Sequence, residues 1–129
     1  MNWVLGHIAT FRDGMLADIR QPEYMTEAEA KLYDAGSKPI TVESQPVDFE
    51  RLVELQTQTY DAIIRWLKSN PIGLAAESRR DILIRKGYLG YWKTVIEHFA
   101  QNMGHESIHV GELGALRELA LVSLRERQQ

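Results

Sequence analysis

Residues 2–20 place Val4, Leu5, Ile8, Phe11, Met15 and Ile19 at the three-to-four-residue spacing that gives a helix one apolar stripe. This pattern constrains the chain most, because it recurs while the period-two alternation of strands does not. A second run from about Asp48 to Lys68 carries Phe49, Leu52, Val53, Tyr60, Ile63, Ile64 and Leu67, and Asn70-Pro71 ends it. A third covers about 89–126 and contains Gly104, Gly111 and Gly114. Each glycine costs roughly 1 kcal/mol against alanine in a helix interior, so three of them point to close helix approach or a break near 104. Asn2 is the expected cap of the first helix, and Gln21-Pro22 is the first turn signal after it. Residues 26–33, TEAEAKLY, predict a short helix with Thr26 as cap and Glu29 completing a capping box. Residues 34–47 hold Gly, Ser and two prolines and read as a loop. Residues 71–87 are charged and ambiguous, and DILIR at 81–85 is the best strand candidate, a weak one. The expected class is all-α: one domain over 1–129, most simply an antiparallel up-down helical bundle.

Composition narrows the chemistry. The net charge of −3 offers no bulk attraction to nucleic acid or an anionic membrane. No apolar run approaches the ~18 residues of a transmembrane helix and no signal peptide opens the chain, so the cytoplasm is the default compartment. There is no cysteine. A metal must therefore be held by His, Asp or Glu, and a cysteine nucleophile is excluded.

The four histidines are His7, His98, His105 and His109. At about 100° per residue, His105 and His109 lie about 40° and one turn apart, close enough to share an ion. His98 falls on the same stripe but roughly 10 Å along the axis from His105, too far for a ligand held at ~2.1 Å. The apolar residues of this helix, Trp92, Val95, Phe99, Leu113 and Leu124, centre to one side of the stripe, so the histidines border the core. His7 stands at the edge of its own stripe in the same way. Packing the two stripes together brings three imidazoles from two helices to one open site.

Glu106 lies towards the apolar face, where an unpaired carboxylate is costly. Three uses are open to it: orienting a ligand histidine, acting as a base on a metal-bound water, or bonding a neighbouring helix. His105-Glu106-x-x-His109 is also the zinc-peptidase pattern. That reading wants a third downstream ligand and an edge strand for the peptide; only Glu112, Glu118 and Glu126 follow, on the same helix. The competing plain readings are a solvated or core-edge histidine pair, a packed His7, a solvated Glu112, and Trp3, Phe11, Trp66, Trp92 and Phe99 as core.

NWVLGHIATFRDGML, residues 2–16, resembles the histidine-bearing helix of the DinB-like superfamily of metal-dependent enzymes. GHESIHVGELGALREL, residues 104–119, resembles that family's last-helix motif, and GSKPI at 36–40 its intervening loop. The resemblance implies a four-helix bundle with a divalent transition metal (Zn, Ni or Fe) on His7, His105 and His109. It implies a metal-dependent transferase, of the kind using low-molecular-weight thiols, or a hydrolase acting on a small molecule. Any thiol must come as a cosubstrate. Two departures stand out. Position 112 is Glu where the family usually has Gln, and the family has a full helix before the one that here begins at Asn2. A bundle short of one helix exposes an apolar stripe, which leads to the expectation of a homodimer. The alternative reading is a bundle that works by association alone and binds no catalytic metal.

Overall fold

The computed structural model describes residues 1–41, 43–79 and 92–127. It is all-α, with helices α1 (Asn2–Asp18), α2 (Glu27–Tyr33), α3 (Phe49–Ser69) and α4 (Val95–Glu126), and a 3₁₀ turn at Gly73–Ala75. Among the described residues no strand forms; the β contact is an isolated bridge between Glu77 and Thr94. The DILIR stretch lies outside the described residues, as do positions 89–91 of the last expected helix. No helix among those described is long and apolar enough to cross a membrane.

Local chemistry accounts for the element ends. The Thr26 hydroxyl accepts from Glu29 N–H while the Glu29 carboxylate accepts from Thr26 N–H, completing the expected capping box. The same box, Thr94 with Glu97, starts α4, so residues 92–94 precede the helix. Asp48 caps α3 through Glu50 N–H. Asn2 does not cap α1. Its side chain instead donates to the Val47 carbonyl (2.9 Å) and accepts from the Tyr33 hydroxyl (2.9 Å). At the far end of α1, Arg20 adopts φ 59° and the Gln21 N–H reaches back to the Leu16 carbonyl at 2.8 Å, turning the chain before Pro22.

The central element is α1, which packs against α2, α3 and α4. Its buried residues circle most of the helix, from Val4 and His7 through Ile8, Ala9 and Asp13 to Leu16 and Ala17. The apolar stripe seen in sequence is thus only part of its contact surface. The polar groups it buries are bonded: Asp13 accepts from the Tyr24 and Met25 amides, the latter at 2.7 Å. One core unites Met15, Leu16 and Ile19 with Ala62, Ile63, Val95 and Phe99; another unites Ala9, Met25, Tyr33, Leu52 and Leu55.

Helix directions differ from the simplest expectation. Asn2 meets Val47, Leu5 meets Gln56, Arg12 meets Gln56 and Tyr60, and Met15 clusters with Ile63. Contacts therefore advance together along α1 and α3, which run parallel. Along α4 they run in reverse, from Asp18–His98 to Trp3–His109, so α4 is antiparallel to both. The long connection through α2 and residues 34–48 carries the chain back to the starting end and makes the parallel pair possible.

On α3 the buried residues are Leu52, Leu55, Thr59, Ala62 and Ile63. Of the expected stripe, Phe49, Val53 and Tyr60 are exposed, whereas the slim Thr59 and Ala62 are buried, Ala62 beside Met15 and Leu16. Tyr60, Ile63, Ile64 and Leu67 turn towards a groove of about 500 Å³ between α3 and α4, floored by Arg12 and Met15 and closed on the α4 side by Phe99, Met103 and Val110. The glycines of α4 do not break it, and apart from the helix's own nearby backbone no described atom lies within 4 Å of where a side chain would begin at Gly104, Gly111 or Gly114.

Gly6 is different, because a Cβ there would clash with the carbons of the Tyr33 ring. Gly6→Ala is expected to destabilise the fold by about 1–3 kcal/mol through overpacking, read as a lower denaturant midpoint at unchanged slope. A midpoint equal to that of the wild type would show that the α1–α2 contact is looser than described.

Candidate metal centre

His7 projects from α1, and His105 and His109 from one edge of α4. Their ring centroids lie 5.1 Å (7–105), 5.0 Å (7–109) and 4.5 Å (105–109) apart. One nitrogen from each lies within 4.8 Å of the others, and among the described residues this is the group with metal-ligand geometry. His105 Nε2 and His109 Nε2 are 3.1 Å apart. Ligands of a tetrahedral zinc at ~2.1 Å are separated by about 3.4 Å, so the two rings are close to bridging distance already. His7 and His109 are buried and His105 is half-buried.

The backs of two rings are anchored. His7 Nδ1 lies 2.6 Å from the Tyr33 carbonyl, which can only accept; Nδ1 therefore carries the proton and Nε2 keeps its lone pair. His109 Nδ1 lies 2.6 Å from Glu112 Oε2, with the same consequence. In the metal-free cluster, His105 Nε2–H then donates to His109 Nε2. His7 and His109 thus keep their Nε2 lone pairs, and a cation bound between the three rings would require His105 to carry its ring proton on Nδ1 instead.

Aromatic walls hold the rings further. Trp3 stacks on His7 at 4.4 Å and donates its indole N–H to Ser37 Oγ at 2.9 Å. Phe11 stacks on His105 at 4.3 Å and meets His7 edge-on at 4.6 Å. These apolar faces exclude water from one side. Burial lowers the His7 pKa most; the Tyr33 carbonyl opposes that and nearby His109 adds to it, for a net fall below 6.5. Burial, then His109 and His7, lowers His105 likewise. Neutral imidazole, the form that binds metal, is therefore favoured.

Glu106 takes the third of its three uses. Its carboxylate forms a two-pronged ion pair with Arg12 of α1, from Arg12 Nε at 3.0 Å and from Nη2. Arg12 also donates to the Gln56 carbonyl at 3.0 Å and lies over the Tyr60 ring. One side chain of the His-Glu-x-x-His pattern thus ties α4 to α1 and, through Arg12, to α3. The third imidazole comes from α1, and no strand lies among the described residues, so the features a zinc peptidase needs are not assembled there.

His98 stands apart from the cluster, as its spacing predicted. It is fully buried, its Nδ1 is 2.9 Å from Asp18 Oδ2, and Trp92 stacks on it at 4.4 Å. Asp18 also accepts from Ser78 Oγ (2.6 Å) and from Arg79 N–H. Burial pushes the Asp18 carboxyl up, but the bonds from His98, Ser78 and Arg79 outweigh it and hold the pKa below 3.8. This pair fastens α4 to the end of α1.

Sequence reasoning found the three histidines but not their supports. Trp3 packs against a core cluster as expected, but it and Phe11 also stand four residues either side of His7 and meet the imidazoles. Glu112 is exposed, as expected of a solvated helix position, yet its carboxylate also reaches His109, three residues before it. The Tyr33 carbonyl carries no side-chain signal. Comparison with known proteins returns no match: no family model, curated protein or solved structure matches the chain.

The lowered histidine pKa values set a pH dependence. Below about 6.5 the unfolded chain takes up protons that folded His7 and His105 resist, so acid favours unfolding. Stability of the metal-free protein is expected to be full above that value and to fall as pH drops towards the folded-state pKa values; Asp18 adds a second loss below about 3.8. Melting temperature followed from about pH 7 to pH 5 should decline, less steeply in His105→Gln. A flat profile in the wild type would contradict this.

Proposed function

We propose that the chain is a DinB-like helical bundle that binds one divalent transition metal through His7, His105 and His109. The observation that carries this is the convergence of three imidazoles, two of them held by their Nδ1 atoms so that Nε2 faces the common point. Neutral imidazoles suit Zn²⁺, Ni²⁺ and Fe²⁺. A metal so held, with a position left open, lowers the pKa of a bound thiol or water and supports thiol transfer or hydrolysis on a small molecule. The protein has no cysteine, so a thiol enters as cosubstrate. Trp3 and Phe11 orient the rings, and the Arg12–Glu106 pair keeps α4 against α1.

Metal analysis of protein purified without a metal-binding tag tests this. About one transition metal per wild-type chain is expected, and none in His105→Ala/His109→Ala, with helical content retained. His98→Ala should keep the metal while losing about 1–3 kcal/mol of stability, because Asp18 stays buried with one partner fewer. Full metal retention in the double variant, or loss in His98→Ala, would overturn the assignment.

A second reading, action through self-association without a catalytic metal, is favoured by one observation. The last turns of α4 pass beyond α1 and expose Leu116, Leu119, Val122 and Leu124, on the same chain as the open groove between α3 and α4. A homodimer that covers these residues is expected whether or not the metal is present. Sedimentation should give a dimer for the wild type and a monomer for Leu119→Glu/Val122→Glu. A monomeric wild type would remove this reading, and a metal-free dimer would favour it over the first.

A further inference from the structure

Glu112 is half-exposed, and neither core is built on it. Yet its Oε2 lies 2.6 Å from His109 Nδ1, in a direct bond one turn along α4. A carboxylate only accepts, so the bond places the ring proton on Nδ1. The other tautomer would put that proton on Nε2, on the lone pair that faces His105 at 3.1 Å. His7 is held in the same sense by the Tyr33 carbonyl, but that group is neutral. Three neutral imidazoles bring no charge against a dication. Glu112 is the acid bonded to one of them, and its negative charge stands directly behind His109.

We infer that Glu112 is the positioning residue of the cluster: it fixes His109 with its Nε2 lone pair inward and supplies the negative charge that strengthens divalent-metal binding. The metal part rests on the function proposed above; the tautomer part does not. Two contributions separate by substitution. Glu112→Gln keeps an oxygen acceptor and removes the charge, whereas Glu112→Ala removes both. Because the side chain is half-exposed, both variants should fold.

The experiment pairs two readouts. Nitrogen-15 imidazole spectra of the metal-free protein report the His109 tautomer, and competition with a chromophoric chelator reports Zn²⁺ affinity. The Nδ1–H form is expected in the wild type and in Glu112→Gln, with a shift towards Nε2–H in Glu112→Ala. Zn²⁺ affinity should fall about 10–100-fold in Glu112→Ala and by a smaller factor in Glu112→Gln. An unchanged tautomer together with wild-type affinity in Glu112→Ala would overturn the inference. If the wild type fails to bind Zn²⁺ while the tautomer still shifts in Glu112→Ala, the metal reading falls and the positioning role stands.

Discussion

The packing of Tyr33 against Gly6 sets the position of nearly everything around the histidines. The ring packs so close to Gly6 that a Cβ at that position would clash with it, so α2 seats directly on α1. That brings the Tyr33 carbonyl, at the C-terminal end of α2, to the His7 ring. The hydroxyl of the same residue accepts from Val47 N–H and donates to Asn2, tying the entry of α3 to the start of α1. One fully buried side chain thus links three helices and fixes the first imidazole.

From there the site is built on two rigid surfaces, the edge of α1 and the edge of α4. What holds them in register is polar. The Arg12–Glu106 pair lies beside the cluster, and the His98–Asp18 pair lies towards the other end of α1. A buried pair of this kind costs desolvation, and its contribution is orientation more than net stability. Here orientation is what matters, since a shift of α4 along α1 would separate His7 from its partners. The three histidines of α4 therefore do different work. His98 fastens, and His105 and His109 face an open place.

The sequence carried the helices and the histidine triad because both depend on periodicity, which a straight helix preserves. Thr26 and Glu29 were legible for the same reason: capping is local. What could not be read depends on how helices meet. Apolarity marks a stripe on α3 that includes Val53 and Tyr60, yet these stay outside while the smaller Thr59 and Ala62 are buried. The parallel run of α1 and α3 followed from the path of a connection, and spacing says nothing of that. The support of His7 by a main-chain carbonyl has no residue type to announce it. Glu106 had three open uses, and only the position of Arg12 on another helix separated them.

The metal site rests on His7 and His109 keeping their Nε2 lone pairs before any metal arrives, with His105 completing the set. X-ray absorption at the zinc edge of Zn²⁺-loaded wild-type protein tests that most directly. Three imidazole nitrogens at about 2.0–2.1 Å, with the remaining position filled by a light oxygen donor, are predicted. A spectrum showing one imidazole or none would contradict the account, and would leave the convergence of His7, His105 and His109 as helix packing alone.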